Sequence, residues 1–270
     1  MGAIDRAASI LFMLGSGTGE AGLGEIAART AIDQKTAYRL LTSMRQRGLV
    51  DYTSNDRRYR LGLRLVQLGL RLESRLPLRA EALSTLYDLR DLTGETAILY
   101  IAVGDRSISI SQAVSVQEPH RLARAGDPFP LHWGGRGKVL LAYKPDRFIE
   151  GYLDRYRPPL ESEARHRIGL PEGALANDWL TPSRERIWAM ITKVRRDGFA
   201  LSLSEFGPDT NALIMPLLNG RAKLLGAISV AGPADRWTLP AIEGLHASCE
   251  QVVDELRARV RYLDPSPLLR

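Results

Sequence analysis

Cysteine is nearly absent: the 270-residue chain has one, Cys249. A single thiol excludes an internal disulfide and fits a reducing compartment. It lies on an amphipathic C-terminal stretch and reads as a packing residue. No apolar run approaches the roughly 20 residues of a membrane-spanning helix. The start, Met1 to Arg6, lacks the basic-then-apolar build of a signal peptide, so a cytoplasmic protein is expected. The four histidines, His120, His132, His166 and His246, have no metal-ligand spacing. There is no G-x-S-x-G elbow, no Cys/His pair with a local signature and no carboxylate pair that stands out. Nothing here supports an enzyme, and no cofactor is expected. His132 reads as a structural hydrogen-bonding residue.

Two nucleotide-binding patterns are present only in fragments. Gly17-Thr18-Gly19-Glu20-Ala21-Gly22 fits G-x-G-x-x-G, but a helical segment precedes it where the dinucleotide motif needs a strand. Gly137-Lys138 is followed by Val139 instead of Ser or Thr. The position five before Gly137 is His132 and not Gly, so the P-loop pattern is not met.

What is present is ordinary globular composition, 44% hydrophobic and 25% charged, in a length suited to two domains. The net charge of +6 is unevenly placed. Residues 1–75 hold 12 Lys+Arg against 7 Asp+Glu, an excess of +5; the remainder holds 25 against 24, an excess of +1. A compact basic segment ahead of a near-neutral body points to a polyanionic partner for that segment.

Hydrophobic periodicity predicts a first helix through Ile4 to Leu14, a short one over Leu23–Thr30, and a third from about Gln34 to Arg47 with Asp33 as its N-cap. On the third helix Ala37, Leu40, Leu41 and Met44 form the core stripe. Gln34, Lys35, Thr36, Tyr38, Arg39 and Arg45 point away from it, with no acidic residue among them. Those side chains can donate to base edges and phosphates. Short strands at Leu49–Tyr52 and Tyr59–Leu61 flank a turn carrying Arg57 and Arg58, which would follow phosphates or enter the minor groove. Three helices and a β-hairpin make a winged helix-turn-helix.

Leu23-Gly24-Glu25-Ile26-Ala27-Ala28-Arg29-Thr30, Lys35-Thr36-Ala37-Tyr38-Arg39-Leu40-Leu41, Arg47-Gly48-Leu49-Val50 and Arg58-Tyr59-Arg60-Leu61-Gly62 together resemble the DNA-binding domain of the IclR family. The likeness continues through Gly126-Asp127-Pro128-Phe129-Pro130-Leu131-His132, Gly137-Lys138-Val139-Leu140-Leu141-Ala142, Arg196-Asp197-Gly198-Phe199, Ser204-Glu205-Phe206, Pro216 and Gly226 to Pro233. It implies a DNA-binding domain over 1–62, a linker helix over 63–76 that helps pair subunits, and a GAF-like effector-binding domain over 77–270. The partners it implies are pseudo-palindromic operator DNA, a small-molecule effector and a second copy of the chain, as a dimer or a dimer of dimers.

In residues 77–270 helices are expected at Leu83–Leu92, Gly137–Tyr143, Ser183–Asp197 and about Leu239–Leu263. Residues 144–182 are read as a short helix plus surface loops. Strands are expected at Thr96–Val103, Ser107–Val114, Arg121–Ala125, Phe199–Leu203, Ala212–Leu218 and Leu224–Val230. The fold class is therefore α+β, on a mostly antiparallel sheet of about six strands.

Some family members hold small oxo-acids with an Asp, a Cys ten positions later and a Ser-x-Ser. Here those positions carry Ser202, Ala212 and Ser229-Val230-Ala231. Gly135 and Arg136 match positions whose backbone amides touch the effector carboxylate in such members. The substitutions predict a larger, more apolar acid, with aromatic acids in that class, packed by Phe129 or Trp133 and held by Arg136 or the Gly135–Arg136 amides.

Overall fold

A computed structural model describes residues 2–15, 19–73, 76–120, 126, 128–155, 182–205 and 209–265. The strand expected at Arg121–Ala125, the stretch 156–181, and Asp127 and Phe206 lie outside the described residues. The chain divides into two compact units, 1–76 and 77–270.

The first unit contains α1 (Ala3–Leu14), β1 (Glu20–Ala21), α2 (Leu23–Thr30), α3 (Gln34–Gln46), β2 (Val50–Thr53), β3 (Arg58–Leu61) and α4 (Arg64–Glu73). Ile10, Met13 and Leu14 of α1, Ile26 of α2, and Ala37, Leu41 and Met44 of α3 close on Val50 and Tyr59. Their spacing places each set on one helical face. α2 ends with Ala31 in the left-handed region, and the Asp33 carboxylate then accepts from the Thr36 amide at 2.9 Å to start α3. β1 was not anticipated. It pairs antiparallel with β3, through Glu20↔Arg60 and Ala21↔Tyr59, and makes the wing three-stranded in the order β1-β3-β2. Two residues are too short for a periodicity signal.

The second unit contains α5 (Pro77–Thr93), β4 (Thr96–Val103), β5 (Arg106–Ala113), β6 (Phe129–Pro130), α6 (Gly134–Ala142), α7 (Asp146–Arg155), α8 (Arg184–Asp197), β7 (Ala200–Leu203), β8 (Thr210–Leu218), β9 (Leu224–Pro233) and α9 (Leu239–Arg259). α5 begins six residues before the expected Leu83, because Pro77 is suited to the first helical position, where no amide donor is needed. α6 likewise starts at Gly134, ahead of the expected Gly137. α8 is capped by Ser183, which accepts from the Arg186 amide at 3.2 Å, and ends at Gly198 with φ +80°.

All six strands pair antiparallel in the order β6-β5-β4-β9-β8-β7. One face is covered by α5 and α9, with Leu86, Leu89, Leu99, Met215, Val230 and Leu256 in the core. The other is covered by α6, α7 and α8, with Ile98, Tyr100, Leu140, Ile149, Ile191 and Ile214. Cover on both faces explains why β4, β8 and β9 read as almost continuous apolar runs.

Candidate DNA-binding face and effector pocket

α3 presents Gln34, Lys35, Tyr38, Arg39 and Arg45 to solvent, and Thr36 half-buried. Tyr38 is 54% exposed, a large aromatic surface on this face. Arg45 lies with its guanidinium 5.8 Å from the Tyr52 ring, bracing the end of α3 against the wing. Asp33 is the one carboxylate at the start of α3. Its hydrogen bonds from Thr36 hold it below the usual carboxylate range, so it stays ionised while capping the helix.

The two wing arginines behave differently. Arg57 is exposed in the turn with φ +52°. Arg58 turns back: it donates to the Glu20 carbonyl at 3.3 Å and ion-pairs with Glu20 at 3.7 Å and Glu25 at 3.8 Å. Arg58 therefore ties β3 to β1 and α2, and Arg57 is the wing arginine left facing outward.

In the second unit, strand register places the expected pocket residues. Ser202, Ala212, Ala231 and Thr96 form one cross-strand row over β7, β8, β9 and β4. Ile214, Ser229 and Ile98 form the next row, and Pro216, Ala227 and Tyr100 the one after. Small residues thus floor the region under α6. Ser202 and Ser229 are both buried residues, 4% and 3% exposed.

α6 begins directly above this floor. A Cβ built on Gly135 would stand 2.1 Å from Ile214 Cδ1 and 3.3 Å from Ser202 Cβ. Only glycine lets the first turn come this close. The N-cap is Trp133, which offers no side-chain acceptor to the amides of that turn. Trp133 is fully buried between Phe129 and His132, at ring separations of 6.3 and 6.2 Å. It is packing that holds the turn in place. His132 shares a 2.6 Å hydrogen bond with the Tyr152 hydroxyl, which fits its structural reading.

Arg136 is the next residue. Its buried guanidinium lies 4.4 Å from the Phe129 ring and 5.3 Å from the Tyr100 ring. Burial pulls the Arg136 pKa down and pushes that of Tyr100 up, and the interaction between the two opposes both shifts. The expected residues therefore fall into two groups on one face: Gly135 with Ser202, Ala212, Ser229 and Ala231, and Arg136 with Phe129. Tyr100 was missed, although its place among alternating inward residues of β4 could have shown it.

Two further charge pairs were not foreseen. Lys138 of α6 donates to both oxygens of Glu205, at 2.6 and 2.5 Å, anchoring the helix to the end of β7. Glu95, almost fully buried before β4, receives a two-pronged contact from Arg236 at 2.5 and 3.0 Å. Among the described residues no group of His, Cys, Asp and Glu could hold a metal ion, and no helix is long and apolar enough to cross a membrane.

Comparison with known proteins now adds to this geometry. The IclR helix-turn-helix domain matches residues 3–54, and the bacterial transcriptional regulator IclR C-terminal domain matches residues 71–165. Together they cover more than half the chain. The chain belongs to the IclR family. The glycerol operon regulatory protein of Streptomyces griseus is 28% identical over 233 residues, covering 86% of this chain and 85% of its own. An IclR transcriptional regulator from a Silicibacter species superposes with a TM-score of 0.76 at 23% identity over 100% of both chains. An IclR homologue from Microbacterium hydrocarbonoxydans, solved with 4-hydroxybenzoate, gives 0.70 at 20% identity, covering 95% of this chain and 100% of its own. This IclR-family protein is accordingly a DNA-binding transcriptional regulator with an effector-binding C-terminal domain.

Proposed function

We propose that this regulator responds to a carboxylic acid, in particular an aromatic one, and that binding of the acid changes its affinity for an operator. The observation that carries this reading is the first turn of α6 held against a floor of small residues. Backbone amides at a helix N-terminus favour an anion. The buried Ser202 and Ser229 hydroxyls beneath them can donate further hydrogen bonds. Ala212 and Ala231 leave room where polar side chains would fill it, and Phe129, Trp133 and Tyr100 supply aromatic walls on the same side of the sheet. The 4-hydroxybenzoate bound by the Microbacterium homologue supports an acid of this class.

On the DNA side, Gln34, Lys35, Thr36 and Arg39 lie on the first two turns of α3 and read base edges or adjacent phosphates in the major groove. Tyr38 and Arg45 contact the backbone beside them, and Arg57 follows the phosphates from the wing. Arg58 contributes by holding the wing. The exposed Leu63, Val66, Leu68 and Leu70 around α4 support a cytoplasmic homodimer, or a dimer of dimers, on a pseudo-palindrome with half-sites about 34 Å apart. Ligand binding then shifts operator affinity by the difference in ligand affinity between the two arrangements of the dimer.

The test is a thermal-shift series on the full chain with aromatic and small aliphatic carboxylates and their neutral amides, followed by operator titration with each hit. A ligand that binds the folded state raises its apparent stability by mass action. Stabilisation by aromatic acids and not by their amides is expected, with a matching change in operator affinity. A response to amides and acids alike would end the anion part of the reading.

A further inference from the structure

We propose that Tyr52 of the wing is a positioning residue for DNA binding: its ring holds the Arg45 guanidinium at the seam between α3 and the wing, where Arg45 grips a single backbone phosphate. This rests on the DNA-binding reading of α3 and sharpens it.

The seam is built outward from the core of the first unit. Tyr59 of β3 is 7% exposed and belongs to that core. Tyr52 of β2 is its register partner, with the ring centroids 4.8 Å apart. Tyr52 is only half-buried, and the guanidinium of the exposed Arg45 lies over its ring at 5.8 Å. Burial pushes the Tyr59 hydroxyl up, Tyr52 and Tyr38 add to the shift and Arg45 opposes it, so the four side chains share one neighbourhood. Two of them come from α3 and two from the wing.

Place along the helix decides what Arg45 can reach. It follows Tyr38 by seven residues, two turns along the same stripe, or about 10 Å of axis. Gln34 to Arg39 occupy the end of α3 that a helix-turn-helix inserts into the major groove. A donor two turns behind that end meets the sugar-phosphate rim and not the base edges. The segment Gln34–Gln46 holds no Asp or Glu that would compete for it.

Other arginines of the unit are tied to their neighbours. Arg47 donates to the Ser43 carbonyl and hydroxyl at 3.2 and 2.9 Å, and Arg58 pairs with Glu20 and Glu25. Arg45 lies on a ring instead. Stacking engages the face of a guanidinium, while its donors lie in the plane and stay open to an acceptor. A phosphate accepts two such bonds side by side. An arginine that is free beforehand gives up rotamer freedom on making that contact, and one already held gives up less. Tyr52 thereby raises affinity without touching the DNA.

The experiment measures binding of the full chain to two duplexes of unrelated sequence, each of about 30 base pairs, over a salt series that starts low. Arg45→Gln is expected to weaken both duplexes alike, by about tenfold, and to lower the slope of log affinity against log salt by about one per bound subunit. Tyr52→Leu should lose about threefold or more in the wild-type background and nothing further in Arg45→Gln, and Tyr52→Phe, which keeps the ring, should restore the loss. Wild-type affinity and slope in Arg45→Gln overturn the proposal and leave α3 as the reading helix, provided Arg39→Ala still weakens binding. An equal loss from Tyr52→Leu in both backgrounds overturns it too, since the ring then only supports the wing. Failure of the wild type to bind either duplex removes the DNA-binding reading of α3 together with the proposal. If Tyr52→Leu does not fold, Arg45→Lys decides. A point charge that cannot stack flat should leave most of the Arg45→Gln loss in place, and full recovery would show that charge acts without the ring.

Discussion

Gly135 lies so close to Ile214 that a methyl group on the glycine would come within 2.1 Å of the isoleucine Cδ1. The approach of α6 to the sheet, and with it the geometry of the pocket, depends on this pair. Gly135→Ala should therefore displace the first turn, costing about 1–3 kcal/mol as overpacking does. Effector affinity should fall with it. Shortening the partner, Ile214→Val, removes the clashing carbon. The double variant should lose less stability than the two single changes summed, and urea unfolding of all four proteins measures that coupling. Simple additivity would show that the helix moves freely.

Arg39→Ala should weaken operator binding by tenfold or more while leaving the melting of the effector unit unchanged. Arg39 is exposed on α3 and takes no part in the core of its unit. Operator affinity equal to the wild type would mean that another surface reads the DNA.

The wing arginines should separate in a salt titration. Arg57→Ala should reduce the slope of log affinity against log salt by about one, as loss of one phosphate contact does. Arg58→Ala should change the slope less. It breaks half-exposed pairs with Glu20 and Glu25 and should lower stability by no more than about 1 kcal/mol. An equal slope change for both would place Arg58 on the phosphates as well.

Glu95 is 1% exposed and is ion-paired with Arg236. Arg236→Ala would strand a buried carboxylate against Gly232, and about 3 kcal/mol or more should be lost, measurable by denaturant unfolding at neutral pH. Replacing Glu95 with Gln in that background should recover part of the loss, since the uncompensated charge is gone.

Cys249 is buried, and desolvation pushes its thiol from 9.0 to about 11. The folded state binds more protons there than the unfolded chain, so this contribution is whole below pH 9 and is lost as pH rises toward 11. Native protein at pH 8 should react with a thiol reagent only as fast as it unfolds. Rapid labelling would contradict the burial.

Much of the first unit is legible from the sequence because its determinants are local. The period of Ala37, Leu41 and Met44, the Asp33 cap and the missing acid on α3 all lie within one helix and its turn. The short β1 is not legible, since it exists only through its pairing with β3. In the second unit strand positions follow from apolar runs and turn residues, and the position of α6 is offset only by three residues at its start.

Side-chain direction is what one-dimensional pattern leaves open. Ser202, Ala212, Ser229 and Ala231 share a floor because antiparallel register brings positions nearly thirty residues apart side by side. Arg136 leaves that group for Tyr100 and Phe129 because Gly135 lets α6 sink onto Ile214, which fixes the turn before the arginine side chain begins. Arg57 and Arg58 look equivalent as neighbours in a turn, yet Glu20 and Glu25 claim only one of them. Periodicity, capping and charge placement act over a few residues, and so the sequence by itself determined two units, their elements and a basic recognition helix. Which side chains share one face of the sheet, and which charges are spent inside the fold, depended on long-range packing and pairing, and only the tertiary structure decided them.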